Sequence, residues 1–404
     1  ELKEAKNIAK DFSKVVIVAG LVEIIESEGF DRNDMSIPDG HLRMINEITK
    51  VNPNVVVVLL GGSAMELPFN DDVKAILYMG LGGEGLGTAL KHLLYGEVNP
   101  SGKLTESWPV GYGDVISKDT FGKIDALYTE GIYVGYRYYD KANVKVRYPF
   151  GHGLSYTVFD YSDLKIDGKT IRFKIRNTGN IKGKEVVELY IGNPDTGIYR
   201  PVKELRDFIK IELEKGEEKE VCFEINDSYF ETYDEGFKVY EGDYKIMIGS
   251  SLDDIRLEAE YHVDGLRNIK KDNGWYDHLN GQPSVSDFEK ILGRKIEYTE
   301  NNHKGSYTMN NSCLEMKNES LIMKIQYIVT ENIIAKQFGG IKDMNNPAFK
   351  MMMISATDSP LRVGIINSQG LMKNSLGEGL LEMANGHYIK GIKKMMERGA
   401  KNVE

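Results

Sequence analysis

Val55-Val56-Val57-Val58-Leu59-Leu60 is the longest wholly aliphatic run in the chain. A strand with one wet face alternates apolar and polar residues, so an unbroken run suits a strand covered on both sides, as in a parallel sheet between helices. Immediately upstream, a helical stretch begins near Asp39, a plausible N-cap residue, and turns Leu42, Ile45 and Ile48 inward. Before it, Leu2, Ala5, Ala9 and Phe12 share a helical face and lead into Val15-Val16-Ile17-Val18-Ala19-Gly20. Downstream, Ala75-Ile76-Leu77 is followed by a Gly-rich turn and a helix with Leu86, Leu90, Leu93 and Leu94 on one face, closed by Gly96. Repeated helix-strand units over residues 1–155 predict an open, mostly parallel α/β sheet.

From residue 156 to about 265 the apolar period becomes two. Ile171, Phe173 and Ile175 alternate with Arg172, Lys174 and Arg176, between the turn signals Asp167-Gly168 and Asn177-Thr178-Gly179-Asn180. Further strands read at residues 186–191, 221–225 and 244–248, which predicts a small all-β sandwich. Residues 266–404 lose the strand signal and become Asn- and Met-rich; 11 of the 16 methionines lie beyond residue 300. Helical spacing at Leu321, Ile325, Ile328 and Val329, and again at Leu380, Met383, His387 and Ile392, predicts a mostly helical appendage after a long mobile stretch at about 295–318. Such Met-rich helices serve either as core filling or as adaptable contact surfaces, and core filling is the expectation.

At 404 residues, with 41% hydrophobic and 28% charged residues, the chain is long enough for two or three domains that bury their own cores. A net charge of −10 with dispersed Lys and Arg argues against nucleic acid and against an anionic membrane surface. The aliphatic run is far short of the roughly 20 residues needed to span a bilayer. Of the two cysteines, Cys222 lies among Val221, Phe223 and Ile225, where a small buried thiol is expected, and neither disulfide nor cysteine metal site is indicated. No basic-then-apolar leader precedes the first helix, although the chain starts at Glu1 rather than Met, and a cytoplasmic location is the expectation.

Gly80-Leu81-Gly82-Gly83-Glu84-Gly85 matches G-x-G-x-x-G by spacing. A dinucleotide site also needs an acidic residue about 20 positions on, at the end of the next strand. Asn99-Pro100-Ser101-Gly102-Lys103-Leu104 instead reads as a turn, so a tight strand-to-helix connection is the better reading. Glu26-Ser27-Glu28-Gly29-Phe30-Asp31-Arg32 lies just beyond the carboxyl end of the first strand, where open α/β sheets place ligand-facing loops. It is either a solvated charge cluster or a source of catalytic carboxyls, since neighbouring carboxylates raise one another's pKa and favour a proton donor.

Several motifs then occur in one order. Glu28-Gly29-Phe30-Asp31-Arg32 with Ile37-Pro38, Gly80 to Gly87, and Asn99 to Leu104 with Trp108-Pro109 come first. Tyr128-Thr129-Glu130-Gly131-Ile132-Tyr133-Val134-Gly135-Tyr136-Arg137-Tyr138-Tyr139-Asp140 and Tyr148-Pro149-Phe150-Gly151-His152-Gly153-Leu154-Ser155-Tyr156 follow. Together they resemble the C-terminal part of glycoside hydrolase family 3, the β-glucosidase-type enzymes, over roughly residues 1–265. The resemblance implies an α/β domain that is incomplete at its start, since Glu1 to Lys10 resemble a helix well inside it. It further implies a fibronectin type III-like sandwich and, after it, an extension found in some bacterial members. The tyrosines Tyr133, Tyr136, Tyr138 and Tyr139 either fill the seam between domains, the preferred reading, or stack on sugar; His152 reads as a turn residue.

By the same resemblance Glu28 is the general acid/base of a retaining double displacement, Glu26 is the runner-up, and Asp31 and Arg32 orient the loop or tune its carboxyl. The family's Asp nucleophile sits in an Asp-Trp context on a barrel, whereas Trp108 and Trp275 here follow Ser107 and Gly274. The nucleophile and the missing barrel, as domain or subunit, are therefore expected outside this chain, with a β-glycoside or oligosaccharide substrate and no cofactor or metal. Sugar, linkage and oligomeric state stay open, and a homo-oligomer is compatible with the sequence. The competing reading is a non-catalytic scaffold derived from such an enzyme; nucleotide binding is a third.

Overall fold

The computed structural model describes residues 1–122, 125–194, 199–267, 272–298, 302–367 and 373–397. The chain divides into two units, Glu1–Gly20 with Asp34–Glu297, and Leu21–Asn33 with Tyr298–Glu404.

In the first unit, helix α1 (Leu2–Lys10) precedes strand β1 (Val15–Gly20), and helix α2 (Asp39–Thr49) precedes β2 (Val55–Leu60). Strand β3 (Ala75–Gly80) is followed by α3 (Leu86–Leu94). The strands form a parallel sheet in the order β1-β2-β3. Val55, Val57, Val58 and Leu59 have no exposed surface, the two-sided burial that the aliphatic run predicts. Two helix ends differ from the expectation. Pro38 occupies the N-cap of α2, which moves Asp39 into the first turn, where its charge still complements the helix dipole. The α1 face stops short of Phe12, because the Asn52 amide donates to the carbonyls of Ala9 and Phe12 at 2.8 Å, taking acceptors that another helical turn would use. Phe12 is left 61% exposed.

Apolar surface remains open in this sheet. Val16 and Val18 on β1 are 45% and 50% exposed, and α3 buries none of its residues although four of them are leucines.

Between sheet and sandwich, a short pair β4 (Trp108–Pro109) and β5 (Val146–Tyr148) flanks helix α4 (Tyr136–Lys141). The motif loops lock together here. Leu104 donates to the His152 carbonyl and Gly151 to that of Leu104, both at 2.8 Å, while the Asn99 side-chain oxygen accepts from Ser155 Oγ and from the Tyr156 amide. His152 stacks on Tyr148, in keeping with a turn residue. Tyr133 and Tyr138 are buried with Ile116, Tyr276 and Leu279, and the Tyr133 hydroxyl donates to the Tyr276 carbonyl at 3.1 Å. The tyrosine motif therefore fills a seam.

The sandwich packs a three-stranded sheet, β10 (Glu218–Glu224), β7 (Thr170–Asn177) and β6 (Phe159–Asp167), on a four-stranded one. The latter runs β14 (Asp254–Val263), β13 (Gly242–Ser251), β8 (Gly183–Gly192), β9 (Lys203–Leu213). Ile171, Phe173 and Ile175 face Val187, Leu189, Ile191 and Tyr244 in its core, as the alternation requires. Cys222 is exposed rather than buried: with Val221 and Phe223 facing inward, a period of two sends the residue between them outward. The short pair β11 (Glu231–Tyr233) and β12 (Phe237–Val239) and the helix α5 (Val285–Leu292) complete the first unit.

The second unit is helical: α6 (Cys313–Met316), α7 (Leu321–Gln337), α8 (Pro347–Thr357), α9 (Leu361–Asn367), α10 (Asn374–Ala384) and α11 (Tyr388–Met396). Its methionines do fill core, Met316 and Met323 beside Tyr307 and Cys313, and Met353 beside Phe349. The face predicted for α7 is wrong, however. Leu321, Ile325, Ile328 and Val329 are 63%, 48%, 44% and 49% exposed, while Met323, Ile334 and Ala335 are buried. In helix α7 the polar residues Lys324, Gln326, Glu331 and Lys336 are spread around the helix among the apolar ones, so spacing identifies the helix without identifying its inner face. The mobile stretch expected before α6 is also replaced by pinned turns over residues 302–312. The Asn385 side chain bridges the backbone of Tyr307 in both directions at 2.9 Å, and the Tyr307 hydroxyl donates to Glu319 at 2.8 Å. Residues 299–301 lie outside the described chain.

Candidate active site

The acid-rich loop that follows β1 belongs to the second unit. It starts with a turn in which Ile25 and Glu26 donate to the Val22 carbonyl at 2.8 and 2.9 Å. Ser27 and Phe30 then form an antiparallel bridge around Glu28 and Gly29. Gly29 sits at φ +90°, at the third position of this turn, where a type II turn needs positive φ and where a residue with a Cβ is strained. That choice puts Glu28 at the tip, and its side chain is exposed to solvent. Glu26 and Arg32 are half-buried and Asp31 is exposed, so the loop collects all four residues singled out in the sequence and offers the carboxyls of Glu28 and Asp31 to solvent. An exposed carboxyl at a constrained tip can approach a substrate oxygen and exchange its proton.

A second charged cluster was not legible in the sequence. A cavity of about 290 Å³ lies in the first unit beside Lys103, Tyr161, Glu185, Asp254 and Arg256. Its charges are paired with one another. Lys103 Nζ is 3.2 Å from Glu185, and Arg256 grips Asp254 through Nε and Nη2 at 2.6 and 2.7 Å. Burial pushes the Glu185 carboxyl up, against the pull of Lys103. Three residues further along β8, Glu188 accepts from the Tyr190 hydroxyl at 2.5 Å and is pushed up to about 7, chiefly by burial. The one available signal was that Glu188 interrupts the apolar run from Val186 to Ile191. Such mutual pairing fits a structural seam better than a site awaiting substrate.

Gly80 to Gly85 connects β3 to α3 as a turn, with positive φ at Gly80 and Gly83. Among the described residues no group of three or more His, Cys, Asp or Glu side chains could hold a metal ion, and no helix is long and apolar enough to cross a membrane.

Residues 1–156 match the glycosyl hydrolase family 3 C-terminal domain, and residues 185–252 match the fibronectin type III-like domain. The thermostable β-glucosidase B of Acetivibrio thermocellus is 42% identical over 283 residues, covering 67% of this chain and 38% of that protein. A β-glucosidase of Kluyveromyces marxianus is 39% identical, covering 65% and 32% respectively. Among solved structures, the K. marxianus enzyme in complex with glucose superimposes with a TM-score of 0.63 at 36% identity, covering 66% of this chain and 34% of its own. The family 3 β-glucosidase of Bifidobacterium adolescentis gives 0.63 at 32% identity, covering 72% and 45%. The chain thus spans less than half the length of these relatives, and both bacteria and fungi are among them, so a bacterial origin does not follow from the resemblance. With the α/β sheet, the seam and the sandwich all in place, residues 1–156 carry the family 3 C-terminal domain, and the chain corresponds to the C-terminal part of family 3 β-glucosidases.

Proposed function

We propose that this chain supplies the general acid/base of a retaining β-glucosidase-type hydrolase whose Asp nucleophile is carried by a barrel domain or subunit outside residues 1–404. The observation that carries the reading is the exposed Glu28 at the tip of a Gly29-dependent turn, in a chain whose relatives are β-glucosidases. In the reaction the nucleophile attacks the anomeric carbon while Glu28 gives its proton to the departing oxygen, which breaks the glycosidic bond and leaves a covalent glycosyl-enzyme. The Glu28 carboxylate then takes a proton from water, which attacks the same carbon, releases the sugar and frees the nucleophile. Glu26 lies behind the tip, and Asp31 and Arg32 follow it as supports of the loop. The substrate is a terminal β-glucoside or a related oligosaccharide, with no cofactor. A non-catalytic scaffold is the less favoured reading, because the matched relatives are enzymes. A cytoplasmic location accords with two unpaired cysteines, one of them exposed.

The test is made in an enzyme that carries the barrel. General acid catalysis typically contributes about 10²–10⁴-fold, and only where the leaving group needs a proton. Glu28→Ala is expected to cripple hydrolysis of an alkyl glucoside yet still form the glycosyl-enzyme from a dinitrophenyl glucoside, with azide trapping the intermediate as a glycosyl azide. Glu26→Ala is expected to show neither effect. Reversal of the two variants moves the acid/base to Glu26, and loss of both effects removes it from this loop.

A further inference from the structure

A carboxyl at the tip of a turn is placed only as well as the turn's own backbone is held, and in this chain the holder is α8. Lys350 lies half-buried with Nζ 3.7 Å from the centre of the Phe30 ring, and it donates a long hydrogen bond of 3.5 Å to the Ile24 carbonyl. These two anchors bracket Glu28, one on each side of it along the loop. Between them, a Cβ built on Gly29 would lie 2.8 Å from Ser355 Oγ and 3.5 Å from Met351 Cγ, so the following turn of α8 rests against the backbone beside Glu28.

The helix itself is fixed. The Asn346 side chain caps it by accepting from the Phe349 amide at 3.1 Å, and Phe349 and Met353 are buried against Ile334 and Ala335 of α7. A strut that is capped, packed on its far side and touching the loop at three points holds the backbone from which the Glu28 side chain projects. Proton transfer requires heavy atoms within about 3 Å, and a misplacement of about 1 Å costs on the order of 10²-fold in rate, so the benefit of such a strut falls on the step that needs the proton.

We propose that the helical appendage is a clamp for the acid/base turn, with Lys350 as its positioning residue; the catalytic side of this proposal rests on the reading of Glu28 given above. Residues 298–404, to which the family resemblance gives no role, thereby become part of the acid/base apparatus.

The first measurement is hydrogen exchange on this full chain. Lys350→Met keeps the aliphatic stem and removes the cation, and Lys350→Arg keeps a cation within reach of the ring. Amides of residues 24–30 are expected to exchange about five- to tenfold faster in Lys350→Met, the size of a partly desolvated cation–π contact, and to return to the parent rate in Lys350→Arg. Amides in the α7 core should not change. The second measurement uses the barrel-bearing enzyme, where Lys350→Met should lower kcat/KM about tenfold for an alkyl glucoside and leave a dinitrophenyl glucoside nearly unaffected, with Lys350→Arg restoring the former. Unaltered exchange in Lys350→Met, or an equal loss on both substrates, overturns the clamp. Faster exchange combined with no leaving-group selectivity in Glu28→Ala keeps the clamp of the turn and overturns the acid/base reading instead. Selectivity in Glu28→Ala with unaltered exchange does the reverse.

Discussion

Glu188 shows how one buried carboxyl sets the pH response of a seam. It is 4% exposed on β8, touches the Tyr190 hydroxyl, and lies so close to Gly151 that a Cβ there would come within 2.4 Å of its oxygen. Burial raises its pKa from 4.5 to about 7, so between those values the folded chain holds a proton that the unfolded chain releases. The contribution is therefore fully present below about pH 4.5, declines as pH rises, and is lost above about pH 7. At 1.36 kcal/mol per unit, the whole effect is on the order of 3 kcal/mol. Glu188→Gln keeps an acceptor for Tyr190 without the charge. Thermal melts of the two proteins should agree near pH 4.5 and diverge steadily to pH 8, where the variant melts higher; parallel curves across that range would contradict the buried-charge account.

Among the elements, the α10–α11 hairpin depends on two glycines that face each other. A Cβ on Gly391 would lie 2.5 Å from the Gly379 carbonyl and 2.4 Å from Met383 Cγ, and one on Gly379 would lie 2.7 Å from the Gly391 carbonyl. Gly391→Val should force the helices apart at a cost of about 1–3 kcal/mol, seen as faster amide exchange over residues 374–396. Gly364→Ala on α9, where an added Cβ meets nothing within 4 Å, is the control and should be neutral or stabilising. This contact was invisible in the sequence because it pairs residues on two helices whose period says nothing about which faces meet. The same reason explains α7, where Leu321 and Ile325 have the spacing of a core face and the exposure of a surface. Strands were easier to read: once Ile171 and Phe173 are inside, a period of two fixes every neighbour, and it also explains why Cys222 points out. The acid-rich loop was legible because it directly follows an apolar strand, and Glu28 within it was singled out by the family resemblance. Lys350 was not legible, because its partners Ile24 and Phe30 are more than 300 positions away.

At the scale of the whole chain, the two halves of the first unit differ in how fully they are covered. Among the described residues, the sandwich closes fifteen buried ones between its sheets, whereas the parallel sheet leaves Val16 and Val18 on β1 in solvent and carries a helix α3 with no buried residue. Limited proteolysis should accordingly cut within residues 1–155 before it cuts residues 156–265, and equal resistance of the two would count against an unfinished α/β layer. The activity of the chain on its own follows from similar incompleteness in its chemistry. A retaining glycosidase divides the work between a nucleophile that holds the sugar and an acid that releases the leaving group. The aryl β-glucosides used in assays need little help from the acid, so their cleavage depends chiefly on the nucleophile, which the family resemblance places on the barrel. Purified residues 1–404 should therefore leave nitrophenyl β-glucosides at the buffer rate, and Glu28→Ala should not change that rate. Addition of the separately produced barrel, if the two associate, should raise turnover only with Glu28-containing chain when the substrate is an alkyl glucoside. Robust turnover by the chain alone would mean that it contains its own nucleophile, and would sink the division of labour proposed for it.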